Sequence, residues 1–195
     1  MSRFIAFEGG EACGKSTQAA LLAASLDAVL TREPGGTPLG ERARSLLLDP
    51  SSGDVDPRAE ALLMAAARAQ HVRDVIAPAL AAGRDVVTDR FSGSSIAYQG
   101  YGRGLDVDEV RSLSTFAAGG LWPDLNVLLV VDGPLGPAVP PDRLEAAGNE
   151  FHKRVAEGFF AQAADDPQHW AVIDGNGEKK EVAQRVLDVV RQRLP

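Results

Sequence analysis

The stretch Phe4–Thr17, FIAFEGGEACGKST, limits what this chain can fold into more than any other. An apolar run, Phe4-Ile5-Ala6-Phe7, leads to Gly9, four further residues and then Gly14-Lys15-Ser16, which is the full G-x-x-x-x-G-K-[ST] spacing. A buried strand brings the chain to a sheet edge, and Gly9 and Gly14 allow tight turns there. The backbone N–H groups of Gly9, Gly10, Glu11, Ala12, Cys13 and Gly14 can then converge on phosphate oxygens. Lys15 adds a mobile charge for the β- and γ-phosphates, and the Ser16 hydroxyl can coordinate Mg²⁺. Thr17 lies in the helix that runs from Lys15 to about Leu26 and turns its positive end to the same point. Leu21, Leu22 and Leu26 give that helix an apolar face. A strand before and a helix after make this a nucleoside triphosphate loop.

Strand and helix patterns alternate along the rest of the chain. Short strands are expected at Ala28–Leu30, Asp85–Asp89, Leu125–Val131 and Trp170–Ile173. Helices are expected at Pro38–Leu48, Pro57 to about Ala82 with a break or kink at Pro78, from Phe91, to Ala118, at Asn149–Ala164 and at Lys179–Leu194. Asp106 or Asp108 can cap the helix that reaches Ala118, and Gly100–Gly104 reads as a glycine-rich loop. The alternation predicts a three-layer α/β fold of the P-loop NTPase type, with about five strands in a mostly parallel sheet flanked by helices. The chain is expected to form a single domain over residues 1–195.

Open parallel sheets bind ligands at the carboxyl ends of their strands. That edge would gather Gly9–Ser16, Arg32 in the shaped loop TREPGGT, Asp89-Arg90, and the segment after Asp132. Asp89 and Asp132 both end strands, so either could sit near Mg²⁺, and spacing does not choose between them. Arg68 and His71 lie in the long helix, where a solvated or hydrogen-bonded role is the default.

A chain of 195 residues can bury a substantial core. The net charge of −7, with no basic stripe or tail, argues against a nucleic-acid surface. The single cysteine excludes an internal disulfide and suits a cytoplasmic location. No apolar run is long enough to span a membrane, so no membrane partner is expected.

Four blocks identify the chain as similar to the thymidylate kinase family. They are FEGGEACGKSTQ, TREPGGTPLGERAR, ALLMAAARAQHV and TDRFSGSSIAYQGYGRGL, with weaker support from PDLNVLLVVD, DRLE and FHKRVAEGF. The resemblance implies transfer of the γ-phosphate of ATP to thymidine monophosphate, Mg²⁺ as cofactor, and a homodimer. It implies that Lys15 and Ser16 hold ATP phosphates and metal, with Asp89 near the metal. Glu11 would face the acceptor's sugar, and Arg32 and Arg90 would hold its phosphate. Arg68 would bond the pyrimidine edge, Ser94 and Ser95 would lie at the base, and Tyr98 would disfavour a ribose 2′-hydroxyl, with Gln99 in the same block. The resemblance implies one kinase domain over residues 1–195 with a short lid at about 133–148, and Arg143 matches the basic residue of that lid's DRLE segment.

The chain departs from the family pattern in three places. The phosphate loop carries Ala12, and the lid sequence GPLGPAVPP has no basic residue before Arg143, so Arg143 or Arg154 is expected to supply any transition-state arginine. Met64 stands where the family stacks an aromatic residue on thymine, and Ala67 replaces an aspartate, which predicts looser selection at the pyrimidine 5-position. Cys13 sits inside the phosphate loop, where a helix end and Lys15 could activate its thiol. Two other readings follow from these departures: a kinase for another or 5-modified pyrimidine deoxynucleotide, or a nucleotide binder with impaired catalysis.

Overall fold

The computed structural model describes residues 2–133 and 142–194. Five strands, β1 (Phe4–Glu8), β2 (Val29–Arg32), β3 (Val86–Asp89), β4 (Leu125–Val130) and β5 (Trp170–Asp174), form one sheet in the order β2-β3-β1-β4-β5. Every pairing is parallel. β1 is central and buried along its length, which explains its unbroken apolar run. From β1 the chain moves first to the β3–β2 side and later crosses to β4, so the strand order reverses beside β1. Ligands bind parallel sheets at such a reversal.

Helices cover both faces. On one face, α1 (Lys15–Leu26) and α8 (Lys179–Arg193) pack Ala19, Leu22, Val182, Val186 and Val190 against Ile5, Phe7, Val127 and Ile173. On the other, α7 (Asn149–Asp165) brings Phe151, Val155 and Phe159 to Leu128 and Trp170. That second face also carries Phe4, Ala6, Val72, Ile76, Val86 and Phe91 in one cluster. The remaining helices are α2 (Pro38–Leu48), α3 (Pro57–His71), α4 (Ala77–Ala81), α5 (Ser92–Ser95) and α6 (Val107–Ala117). Thr37, Asp56 and Asp106 cap α2, α3 and α6 by accepting backbone N–H bonds.

Three local expectations change. β2 runs on to Arg32 instead of ending at Leu30, because pairing with β3 continues to Arg32 opposite Asp89. The long helix does not break at Pro78. It widens into an i→i+5 turn at Val72–Ile76, and Pro78 falls at the start of the next α-helical turn, where its missing N–H matters least. The glycine-rich stretch from Gly100 is helical as far as Gly102, in a second i→i+5 segment, Ile96–Gly102, continuous with α5. Contact with α7 holds it in place, since the Tyr98 ring meets Phe151 and Phe159 edge-on with centroids 6.0 and 6.1 Å apart. The proline-rich part of the expected lid, residues 134–141, lies outside the described residues.

Candidate active site

The phosphate loop leaves β1 at Glu8 and closes at the start of α1. Gly9 has φ of 140°, and a Cβ there would lie 2.6 Å from the Leu129 carbonyl oxygen, so only glycine lets the loop pass β4. Gly14, at φ 91°, forms the joint with α1. The Lys15 ammonium is buried at the loop, donating to the Gly10 carbonyl, with Cys13 Sγ 3.5 Å away. Burial, with Arg90 nearby, pulls the Lys15 pKa below its ordinary value.

Both β3 and β4 flank β1, so the two aspartates are told apart by their side-chain partners. Asp89 ends β3 beside β1, and its Oδ2 accepts the Ser16 hydroxyl at 2.5 Å. Its Oδ1 is buried without a hydrogen-bond partner, an open acceptor next to a hydroxyl. Mg²⁺ fits this pair, because it binds through one or two protein oxygens and takes its other ligands from phosphate and water. Asp132 instead bonds Asn176 through both its backbone N–H and its carboxylate. Among the described residues no group of three or more His, Cys, Asp or Glu could hold a metal by itself.

Two cavities meet beside the loop. One is lined by Ala12, Gly14, Lys15, Ser16, Thr17, Arg32 and Asp89. The other is a cleft with about 530 Å³ of free space, its mouth included, lined by Leu48, Met64, Arg68, Ser94, Ser95, Tyr98 and Gln99 among others. Glu11, Glu33, Arg44 and Arg90 line both. Arg90 is the most tightly held of the four. Its guanidinium donates to the Gly9 carbonyl and Ser94 Oγ at 3.0 Å, to Glu11 at 2.7 Å and to the Tyr98 hydroxyl at 3.1 Å. It also lies 5.0 Å from the Tyr98 ring centroid. Burial alone would raise the Glu11 pKa, but Arg90, then Lys15 and the Tyr98 hydroxyl, outweigh it and keep Glu11 ionised.

Arg68 forms the floor of the cleft. It is 2 % exposed, and its Nε meets Glu33 at 2.8 Å while its two Nη atoms donate to Ser114 and Ser95 at 3.2 and 2.9 Å. Glu33 also bonds His71, whose other ring nitrogen bonds Thr31, so β2 and α3 lock through one buried carboxylate. A guanidinium held on three sides presents its remaining N–H groups in a fixed direction.

The family model described as thymidylate kinase matches residues 7–186. The chain belongs to the thymidylate kinase family. The thymidylate kinase of a Synechococcus strain, JA-2-3B'a(2-13), is 52% identical, covering 98% of this chain and 96% of its own length. That of Cutibacterium acnes is 47% identical over 98% and 95%. The crystal structure of the Ehrlichia chaffeensis thymidylate kinase matches the fold with a TM-score of 0.83 at 35% identity, covering 97% of this chain and 98% of that one.

Set against the family pattern, the structure brings Lys15, Ser16, Asp89, Arg90, Glu11 and Arg32 to one sheet edge, and Met64, Arg68, Ser94, Ser95, Tyr98 and Gln99 to the adjoining cleft. Arg32 is half exposed and paired with Glu41 at 3.0 Å. Arg143 is elsewhere: it donates to the Leu47 carbonyl at 2.8 Å and to Glu60, and it lines neither cavity. Arg154 is bound to the Gly102 carbonyl at 2.8 Å. The basic residues that do line the phosphate cavity, among those described, are Lys15, Arg32, Arg44 and Arg90. Cys13 is 6% exposed and packs into the core against α1. Sequence reasoning missed Arg44, Glu33 and Glu8. The first two lie inside the TREPGGTPLGERAR block, and Arg44 donates to the Pro34 carbonyl at 3.1 Å, so helical spacing from that loop was the available signal.

Proposed function

We propose that this chain transfers the γ-phosphate of ATP to thymidine 5′-monophosphate, giving ADP and the diphosphate needed for dTTP synthesis. The observation that carries this reading is the wall shared by the two cavities, with Arg90 and Arg44 between the phosphate loop and a cleft floored by Arg68.

Phosphoryl transfer asks a protein chiefly for alignment and charge neutralisation. The loop N–H groups and Lys15 hold the β- and γ-phosphates of ATP. Ser16 and Asp89 hold Mg²⁺, which neutralises phosphate charge when bound. Arg90, with Arg44 and Arg32, receives the acceptor phosphate, because guanidinium forks match phosphate oxygens. Glu11 and Tyr98 flank the sugar, Arg68 reads the pyrimidine edge with Ser94, Ser95 and Gln99 around it, and Met64 covers the base face. Arg143 anchors the base of the lid. The chain acts as one kinase unit in the cytoplasm, and as a homodimer through α3 and α6. Leu62 on α3 is 58% exposed and Phe116 on α6 is 85% exposed, which supports that face.

The test is a coupled ADP-release assay with Mg·ATP and the thymidine, deoxyuridine, deoxycytidine and uridine monophosphates. Fast turnover is expected on thymidine monophosphate. No acceptor-dependent ADP release with any of the four would leave a nucleotide binder and defeat the reading.

A further inference from the structure

Glu8 ends β1 with its side chain fully buried, and the chemistry above gives it no part. Its Oε1 accepts the backbone N–H groups of Phe91 and Ser94 at 3.0 and 3.1 Å, and its Oε2 accepts the Ser94 hydroxyl at 2.5 Å. The same Ser94 oxygen accepts from Arg90 Nη1 at 3.0 Å. A hydroxyl can do both at once, donating to the carboxylate and accepting from the guanidinium. The space around this carboxylate is closed, since a Cβ on Gly93 would come within 2.8 Å of Oε1.

Arg90 is also held in a disfavoured backbone conformation. Its φ is 70°, uncommon for a bulky residue and persisting only where the surroundings enforce it. Here two consecutive residues of β1 enforce it. The Arg90 N–H donates to the Phe7 carbonyl at 2.9 Å, and the next N–H, that of Phe91, donates to the Glu8 side chain. Both peptide groups flanking the Arg90 Cα are therefore gripped from β1.

We propose that Glu8 is a positioning residue for Arg90, fixing its backbone through the Phe91 N–H and its guanidinium through the Ser94 hydroxyl. The proposal rests on Arg90 receiving the acceptor phosphate. A buried carboxylate is unfavourable unless it is well bonded. Burial pushes the Glu8 pKa up to about 7, against the opposing pull of Ser94, Arg90 and the Phe91 N–H. A filler at this position would need no charge. A carboxylate is needed to accept three donors at once, and protonation would spoil that set. The charged group facing Glu8 is Arg90, from the turn after β3, and Glu11 and Tyr98 reach it only through Arg90.

The experiment compares wild type, Glu8→Gln, Ser94→Ala and the double variant. It measures turnover, KM for both substrates, calorimetric affinity for thymidine monophosphate and melting temperature, between pH 5.5 and 9. Glu8→Gln is expected to weaken acceptor affinity by about ten- to a hundredfold, the penalty of misplacing a binding group by around an ångström, and to leave the KM for ATP within about twofold. Ser94→Ala should do the same, and the double variant should be no worse than the worse single, because both break one link. Wild-type acceptor affinity should fall as pH drops through about 7, above the phosphate's own titration near about 6, and Glu8→Gln should lack that limb. Unchanged acceptor affinity in Glu8→Gln, multiplying single effects, or equal loss for ATP would each overturn the proposal. If Glu8→Gln melts too low to assay, Ser94→Ala and the acid limb of wild-type acceptor affinity decide together, unchanged affinity in the variant or no limb in the wild type being fatal. A wild type that binds but does not phosphorylate thymidine monophosphate defeats the proposed reaction, while the binding arms still judge Glu8.

Discussion

Arg143 donates an Nη2 hydrogen bond to Glu60, a carboxylate with no exposed surface on α3. Glu60 also accepts from Gln99 at 2.9 Å and from Arg103 at 3.1 Å, so one buried acid joins the residues after the proline-rich segment to α3 and to the helical segment Ile96–Gly102 and its end. Burial would raise the Glu60 pKa, but the bonds from Arg103, Gln99 and Arg143 outweigh it and keep the group ionised. These contacts favour an anchoring role for Arg143.

Arg143→Ala should therefore cost about 1.5–3 kcal/mol of stability in urea unfolding, the range for a bond to a charged group, since Arg103 and Gln99 remain on Glu60. Turnover at saturating substrates should fall less than about tenfold. A loss of a thousandfold or more at unchanged stability would restore to Arg143 the transition-state role that its DRLE position suggests.

Asp89 bears on metal use. Chelation should abolish turnover and Mg²⁺ should restore it. Asp89→Asn should raise the Mg²⁺ concentration giving half-maximal rate by about tenfold or more, because Mg²⁺ here would have few other protein ligands. An unshifted Mg²⁺ titration curve would take Asp89 out of the metal site. Asp132→Asn, on a residue bonded to Asn176, should leave the curve where it is.

Met64 lines the cleft with Leu48 and Arg68. Its thioether chain adapts where a ring would not. Deoxyuridylates with bulky 5-substituents should be accepted, and Met64→Phe should shift the preference back toward thymidine monophosphate by about tenfold in kcat/KM, the scale for a methylene-sized change. Identical acceptor profiles in the two proteins would show that Met64 only fills volume.

Glu8 also carries a stability prediction with a definite sign. Its folded pKa, about 7, stands above the ordinary 4.5. Between those values the folded chain holds a proton that the unfolded chain releases. The neutral form's advantage is thus complete below about pH 4.5 and is lost as pH rises through about 7. Wild type should lose up to about 3 kcal/mol more than Glu8→Gln between pH 5 and 8. Parallel stability curves would mean that Glu8 does not titrate in this window.

The exposed pair Leu62 and Phe116 addresses assembly. Leu62→Glu should turn a dimer into a monomer in light scattering without lowering the melting temperature of the monomer. A monomeric wild type would remove the dimer from the proposal.

Much was legible before any fold was known. The phosphate loop, the five strands and the block from Asp89 to Gln99 are contiguous runs whose chemistry depends on backbone order and short spacing, and these the amino-acid sequence determined by itself. The i→i+5 turns at Val72–Ile76 and Ile96–Gly102 were not legible, because a one-residue shift of hydrogen bonding leaves little trace in periodicity and is held by packing on other helices. Asp89 and Asp132 look alike along the chain. Both lie at the ends of strands that flank β1, and only the side-chain contacts made in three dimensions put one against Ser16 and the other against Asn176. Glu8, Glu33 and Glu60 read as unremarkable acids in one dimension, and Arg143 as the lid arginine of the DRLE segment. Their partners lie 35 or more positions away along the chain, and an ion pair or a buried hydrogen bond depends on which side chains meet in space. Tertiary structure alone decided those meetings.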